Sequence, residues 1–256
     1  MKFLPTGCVL WGISAKHGSN TSNFLPKRCW KITKKPSPIC GNGCRKERRF
    51  KLMAGHPEDR KINILTEAYC HYVPQGDFTE LDMGCGAGSF TVALAAKYPE
   101  RRIIAADVML GRLRKVVRKM EKLNLENMDV LRVEARGLIA MMLPDKALNR
   151  IHILCPDPWP KNRHRGNRLL CSDFTSQLHR VLKTDGIFHF SSDDEYYCEA
   201  VNKVIAASGL FANCPDGISD LAGVQSDFEK RWLAEGKPVH HRAWIKLPLP
   251  EITIGH

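Results

Sequence analysis

The sequence has no long hydrophobic run. Its apolar stretches end after about six or seven residues, far short of the roughly 20 that a membrane-spanning helix needs, so no membrane partner is expected. One end of the chain is also almost without acid. Residues 1–52 carry 12 Lys/Arg against a single acid, Glu47, whereas residues 53–256 carry 27 against 26. The formal charge of +12 therefore belongs to the first fifth of the chain, and it does not argue that the remainder binds nucleic acid; local clusters have to carry that case. Cysteines paired at metal-ligand spacing are missing too. Of the ten cysteines, Cys70, Cys85, Cys155, Cys171, Cys198 and Cys214 are scattered through the later region, several inside apolar runs, and Cys29, Cys40 and Cys44 have no matching partner pair. This usage reads as free thiols in a reducing, cytoplasmic setting, with no disulfide and no metal.

Residues 1–52 lack helical or strand periodicity and contain Pro5, Pro26, Pro36 and Pro38. A basic, disordered extension is expected there. Met1-Lys2 opens like a signal peptide, but Pro5, Thr6 and Gly7 interrupt the apolar run. Met53 opens a more ordinary sequence, so 1–52 reads either as a basic tail or as an over-long start, and 53–256 as the folded domain.

From residue 78 strand-like and helix-like segments alternate. Strands are predicted over 78–83, 102–107, 129–133, 150–155 and 186–191, with later ones near 210–214 and 242–247. Helices are predicted over 89–97, 110–123, 138–143, 172–182 and 194–207, the fourth capped by Ser172 or Asp173. This alternation predicts an α/β fold, a doubly wound, mostly parallel sheet with helices on both faces. Such sheets bind ligands beyond the carboxyl ends of their strands, where the polar motifs of this chain fall. The helix over 110–123 shows a basic face: Arg112, Arg114, Lys115, Arg118, Lys119 and Lys122.

Leu81-Asp82-Met83-Gly84-Cys85-Gly86-Ala87-Gly88 lies between the first of these strands and the first helix. Gly84 and Gly86 allow a tight turn and the close approach of a ligand. The spacing is G-x-G-x-G, not the dinucleotide G-x-G-x-x-G, which disfavours a nicotinamide-dependent dehydrogenase. Asp82 would repel phosphate but suits a cation such as S-adenosylmethionine, which carries an ammonium and a sulfonium. Asp107 ends the second strand, where an acid can accept from both ribose hydroxyls. Glu134 ends the third, within reach of an adenine.

The most specific stretch is Cys155-Pro156-Asp157-Pro158-Trp159-Pro160-Lys161-Asn162-Arg163-His164. Each proline is expected to hold the residue before it extended, Pro156 for Cys155 and Pro158 for Asp157, which would fix the Asp157 carboxylate at the mouth of the sheet. Lys161, Arg163, His164, Arg165 and Arg168 form a basic loop suited to phosphate contacts. With the glycine loop, the Phe188–Asp193 strand end and Ser226-Asp227-Phe228-Glu229-Lys230-Arg231, this stretch resembles the bacterial tRNA (guanine-N7)-methyltransferase family over roughly residues 60–247.

The resemblance implies a class I, Rossmann-like methyltransferase domain over 53–256. It implies methyl transfer from S-adenosylmethionine to N7 of guanine 46 in tRNA, by a monomer or homodimer. On motif match, Asp82, Asp107, Glu134 and Asp157 line the cofactor site with Gly84 and Gly86, and Lys161, Asp193, Ser226 and Glu229 meet the substrate guanine or its surroundings. Asp157 takes the catalytic position. The chain departs from the family in having Asp at 82 and 107 where Glu is frequent, and Glu at 134 where Asp is usual. An amino-methyltransferase acting on another base would carry Pro where Trp159 stands, and a non-catalytic RNA-binding module would not need the four acids.

Overall fold

The computed structural model describes residues 56–65, 72–157 and 170–249. The extension 1–52, Met53, Trp159, Lys161 and the basic loop to Arg168 lie outside the described residues.

Among the described residues, eight strands make one sheet: β1 (Ile62–Ile64), β2 (Thr79–Met83), β3 (Arg102–Asp107), β4 (Met128–Arg132), β5 (Leu148–Leu154), β6 (Leu182–Ser192), β7 (Phe211–Asn213) and β8 (His240–Lys246). Their order is β1-β4-β3-β2-β5-β6-β8-β7. Pairing is parallel from β1 across to β6, and β8 runs antiparallel to both of its neighbours. The helices are α1 (Ser89–Lys97), α2 (Leu110–Lys122), α3 (Ala135–Gly137), α4 (Ser172–Val181), α5 (Glu195–Ser208) and α6 (Asp227–Ala234).

Strand alternation sends side chains to two separate cores. In β3, Ile103 and Ala105 pack with Phe90, Val92 and Leu94 of α1 and with Leu113, Val116, Val117 and Met120 of α2. Ile104 and Ala106 face the other way, towards Phe174 and Leu178 of α4 and Val201 and Ile205 of α5. The α2 core residues sit at i, i+3, i+4 and i+7, the stripe that turns one helix face inward and leaves the basic face outside. Burial of each such side chain is worth about 1.5–3 kcal/mol.

The expected elements are present with shifted ends. Helix α5 starts where the Asp194 carboxylate accepts from the Tyr197 amide and stops at Gly209, which takes the left-handed conformation. Helix α4 is entered through Cys171, so neither Ser172 nor Asp173 caps it. The expected helix over 138–143 is a π-helical turn, Leu138–Met142, continuing α3. Strand β6 starts at Leu182 because Leu182 pairs with Leu148, and the pairing shifts register before Arg150↔Ile187. Strand β1, the 3₁₀ turns Pro57–Lys61 and Pro215–Leu221, and α6 have no counterpart in the sequence reading. Three residues are too few to show a period, and α6 is a short helix of eight residues that buries none of them.

Candidate active site

Strand order reverses between β2 and β5, and it is in the crevice outside the carboxyl ends of the strands at such a point that open α/β sheets bind ligands. The glycine loop leaves β2 at that point. Its Gly84 and Cys85 amides both donate to the Ala106 carbonyl, at 2.8 and 3.0 Å, which folds the loop back over the end of β3. Gly84, Gly86 and Gly88 all have positive φ. A Cβ on Gly84 or Gly86 would point into open space, whereas one on Gly88 would stand 2.7 Å from Cγ2 of Val116. Gly88 is thus needed for helix packing, and the first two glycines leave the floor of the crevice bare for a ligand.

Two buried carboxylates flank that floor. Asp82 lies on β2 and accepts a 2.5 Å hydrogen bond from the Thr91 hydroxyl of α1. Asp107, at the end of β3, accepts from the Gly86 amide at 3.1 Å and the Met109 amide at 2.7 Å, with Arg112 Nη1 3.6 Å away. Asp107 therefore ties the loop to β3 while its carboxylate stays at the crevice. Burial raises the Asp82 carboxyl to about 7, against the hydrogen bond from Thr91, and the negative charge of Asp107 adds to the rise. The same burial, with both carboxylates nearby, holds the Cys85 thiol well above its ordinary value. Two acids kept close together out of water favour a ligand that brings positive charge and hydroxyl donors. S-adenosylmethionine fits the donor set and the bare floor.

Glu134 is exposed and serves as a helix cap, its two oxygens accepting from the Arg136 and Gly137 amides at 3.0 and 2.7 Å. This role fixes the turn after β4.

On the other side of the crevice, β5 and β6 bring up the second group. Asp157 lies three residues beyond the end of β5, exposed at the strand mouth. The expectation that Cys155 is extended is overturned: its φ is +49°. Its amide stays bonded to the Ser191 carbonyl at 2.8 Å, so the chain makes its turn off the sheet at this residue, against the preference that Pro156 imposes. Burial pushes the Cys155 thiol up to about 11, against the hydrogen bond with Ser191, and the negative charges of Asp193 and Glu229 add to the rise. Asp193 is exposed at the end of β6. Ser226 caps α6, accepting from the Glu229 amide at 3.1 Å, so Ser226 orients the turn that presents Glu229.

Sequence reading missed a polar stripe across the α1-side face of the sheet. Glu80 Oε2 lies 2.9 Å from His152 Nε2; His152 Nδ1 lies 3.0 Å from His189 Nδ1; His189 Nε2 lies 3.0 Å from His241 Nδ1; His241 Nε2 lies 3.3 Å from Glu229 Oε1. At the far end Arg101 and Arg150 each bridge Glu80 and Asp220, anchoring the 3₁₀ turn that leads to α6. The available signal was the alternation Arg150-x-His152 beside His189-x-Ser191, set between the apolar residues Ile151, Ile153, Phe188 and Phe190.

The basic face of α2 turns partly inward on the chain itself. Arg114 pairs with Asp59 through two bonds of 2.7 and 2.8 Å, Arg118 lies 3.2 Å from Glu58, and Lys119 donates to the Ser89 hydroxyl at 2.8 Å. Lys115 and Lys122 remain exposed.

Residues 77–242 match a family model described as "Putative methyltransferase". A tRNA (guanine-N(7)-)-methyltransferase of Syntrophotalea carbinolica is 36% identical over 163 residues, covering 62% of this chain and 70% of that protein. A protein of the same description from Thermotoga maritima is 30% identical over 157 residues, covering 61% of this chain and 50% of that protein, so the chain spans half of its length. Among solved structures, the 16S rRNA methyltransferase KamB is similar in fold, with a TM-score of 0.51 and 18% identity over 68% of this chain and 90% of that one.

Proposed function

Because the chain belongs to the tRNA (guanine-N7)-methyltransferase family, we propose that it transfers the methyl group of S-adenosylmethionine to N7 of guanine 46 in tRNA. The observation that carries this reading is the pair of buried carboxylates, Asp82 and Asp107, at the bare glycine floor of the switch-point crevice.

In this reading Asp82, Gly84, Gly86, Asp107 and the turn fixed by Glu134 hold the cofactor, which supplies an electrophilic methyl group. N7 of guanine has a free lone pair and bears no proton, so no general base is required. The chain's task is alignment, which lowers a barrier by several kcal/mol. Asp157 and Asp193 face the guanine on which positive charge grows, and fixed charge of this kind is worth about 3 kcal/mol per group. Glu229, presented by Ser226, accepts from guanine N–H donors, and Lys161 with the exposed Lys115 and Lys122 meets phosphate.

The test is incubation of the protein with methyl-labelled S-adenosylmethionine and unmodified tRNA transcripts, with the product nucleoside mapped. Label as 7-methylguanosine at position 46 is expected, and it should vanish from a transcript that carries adenine in place of that guanine. Label at another base would remove the assignment, and 7-methylguanosine elsewhere would remove position 46 alone.

A further inference from the structure

The four contacts that run from Glu80 to Glu229 have a direction. At each histidine–histidine contact the ring centroids stand 5.2 or 5.3 Å apart while the facing nitrogens are 3.0 Å apart, so the nitrogens point along the line between the rings. Each such contact holds one proton, because two bare lone pairs repel and two N–H groups clash. Glu80, His152 and His189 are buried, so no water substitutes for a missing proton. Burial alone would raise the Glu80 carboxyl, but the bond from His152 and the guanidinium charges of Arg150 and Arg101 hold it well below the usual carboxylate range. Burial lowers both His152 and His189, which keeps them neutral.

An ionised Glu80 only accepts, and this fixes everything downstream. His152 carries its proton on Nε2 and is bare at Nδ1. His189 therefore carries its proton on Nδ1 and is bare at Nε2. His241 is forced to carry a proton on Nδ1, so its contact from Nε2 to the Glu229 carboxylate needs a second proton there, which makes His241 an imidazolium paired with Glu229.

We propose that Glu80, His152, His189 and His241 form one hydrogen-bonded chain of fixed polarity that clamps Glu229 from behind, making His241 a positioning residue of the substrate-guanine pocket. A proton on His241 Nε2 ties one Glu229 oxygen at 3.3 Å and holds the carboxylate in one rotamer, so its other oxygen is presented to guanine N–H donors already oriented. Its consequence for the substrate rests on the reading of Glu229 as a guanine contact; the polarity of the chain does not.

The test uses the full chain labelled with ¹⁵N in its histidines. Long-range ring correlations are expected to show His152 as the Nε2–H tautomer and His189 as the Nδ1–H tautomer. The reverse at His189 overturns the proposal whatever the enzyme methylates. In His189→Phe the Nδ1 proton of His241 loses its acceptor: His241 should fall back to the neutral Nε2–H form, its bond to Glu229 should lose its charge, and KM for tRNA should rise about tenfold, with S-adenosylmethionine affinity unchanged. His189→Gln, whose amide both donates and accepts, should stay within about threefold of wild type, since a bridging hydrogen bond is kept. A folded His189→Phe whose KM stays at the wild-type value, or a Glu229→Gln change whose effect simply adds to it, also overturns the proposal. If no tRNA is methylated by the wild-type protein, the proposed activity fails, and the tautomers alone decide the fate of the chain.

Discussion

Asp82→Asn is expected to stabilise the ligand-free protein and to weaken its hold on the cofactor. The Asp82 carboxyl titrates at about 7 in the folded protein against 3.8 in the unfolded chain. That gap of about three units corresponds to about 4 kcal/mol at most. The sign follows from which state ionises first. Below pH 3.8 both states are protonated and the burial costs nothing. As pH rises the unfolded chain ionises and the folded one does not, so stability falls until about pH 7 and is level above it. Asparagine never ionises and still offers an oxygen to Thr91. Urea denaturation without ligand should therefore show no gain at pH 4, about half the full gain near pH 5.5, and up to about 4 kcal/mol at pH 8. Calorimetric titration supplies the other half. Wild-type affinity for S-adenosylmethionine should rise about tenfold per pH unit from 5 to 7, as the ligand's positive charge captures the ionised form, and a proton should leave on binding below pH 7. Asp82→Asn should bind weakly with no such slope. A variant no more stable than wild type at pH 8, or a wild-type affinity flat between pH 5 and 7, would refute the assignment of Asp82 as the buried acid that meets the ligand.

Gly88→Ala should lower stability by about 2 kcal/mol or more, because its φ is +77° and its new methyl would press on Val116; denaturant midpoints measure this, and Val116→Ala should restore only the part due to the clash. Asp157→Ala should reduce single-turnover methyl transfer by about 100-fold, with S-adenosylmethionine affinity within about threefold, since its carboxylate acts on the charge that grows in the transition state. Near-normal turnover in the folded variant would remove Asp157 from the reaction. Glu134→Ala loses the acceptor for two helix-start amides. It should cost about 1 kcal/mol in a melting experiment, and Glu134→Asn should recover much of it.

The alternation of apolar runs with helical spacing made the parallel sheet legible, and the switch point with it. Asp82 and Asp107 could be placed because they lie at or next to the ends of two paired strands that follow one another in sequence, so their nearness follows from one βαβ unit. The placement of Glu229 beside His241 could not be read that way. It depends on Asp220 being pinned between Arg101 and Arg150, on the Lys97 and Tyr98 bonds to the Asp220 carbonyl, and on β8 returning antiparallel beside β6. None of these leaves a periodic mark. Cys155 failed for a different reason: a local preference set by Pro156 lost to a backbone bond made with the neighbouring strand. The basic face of α2 is plain in the charge pattern, but that pattern does not say which acids stand opposite, and Asp59 and Glu58 lie outside the helix.

The two faces of the sheet differ in kind, and the difference follows the crevice. Behind β5 and β6, Ile151, Ile153, Phe188 and Phe190 pack on α4 and α5 as an ordinary apolar core. On the α1 side the same strands present Arg150, His152, His189 and Ser191, all buried. Aliphatic residues there would satisfy the fold at least as well, since buried charge clusters seldom exceed hydrophobic replacements in stability. A polar stripe that costs stability along its whole length, and whose last contact is a carboxylate at the crevice, is best explained by what it does at that end. The cover over this face is correspondingly light: α1 supplies Phe90 edge-on to His152, and the 3₁₀ turn Pro215–Leu221 leads to the α6 that carries Glu229. Under β5 and β6, then, one surface of the sheet packs as an apolar core and the other carries a polar stripe from Glu80 to Glu229, while the α1 side of β3 and β4 stays apolar.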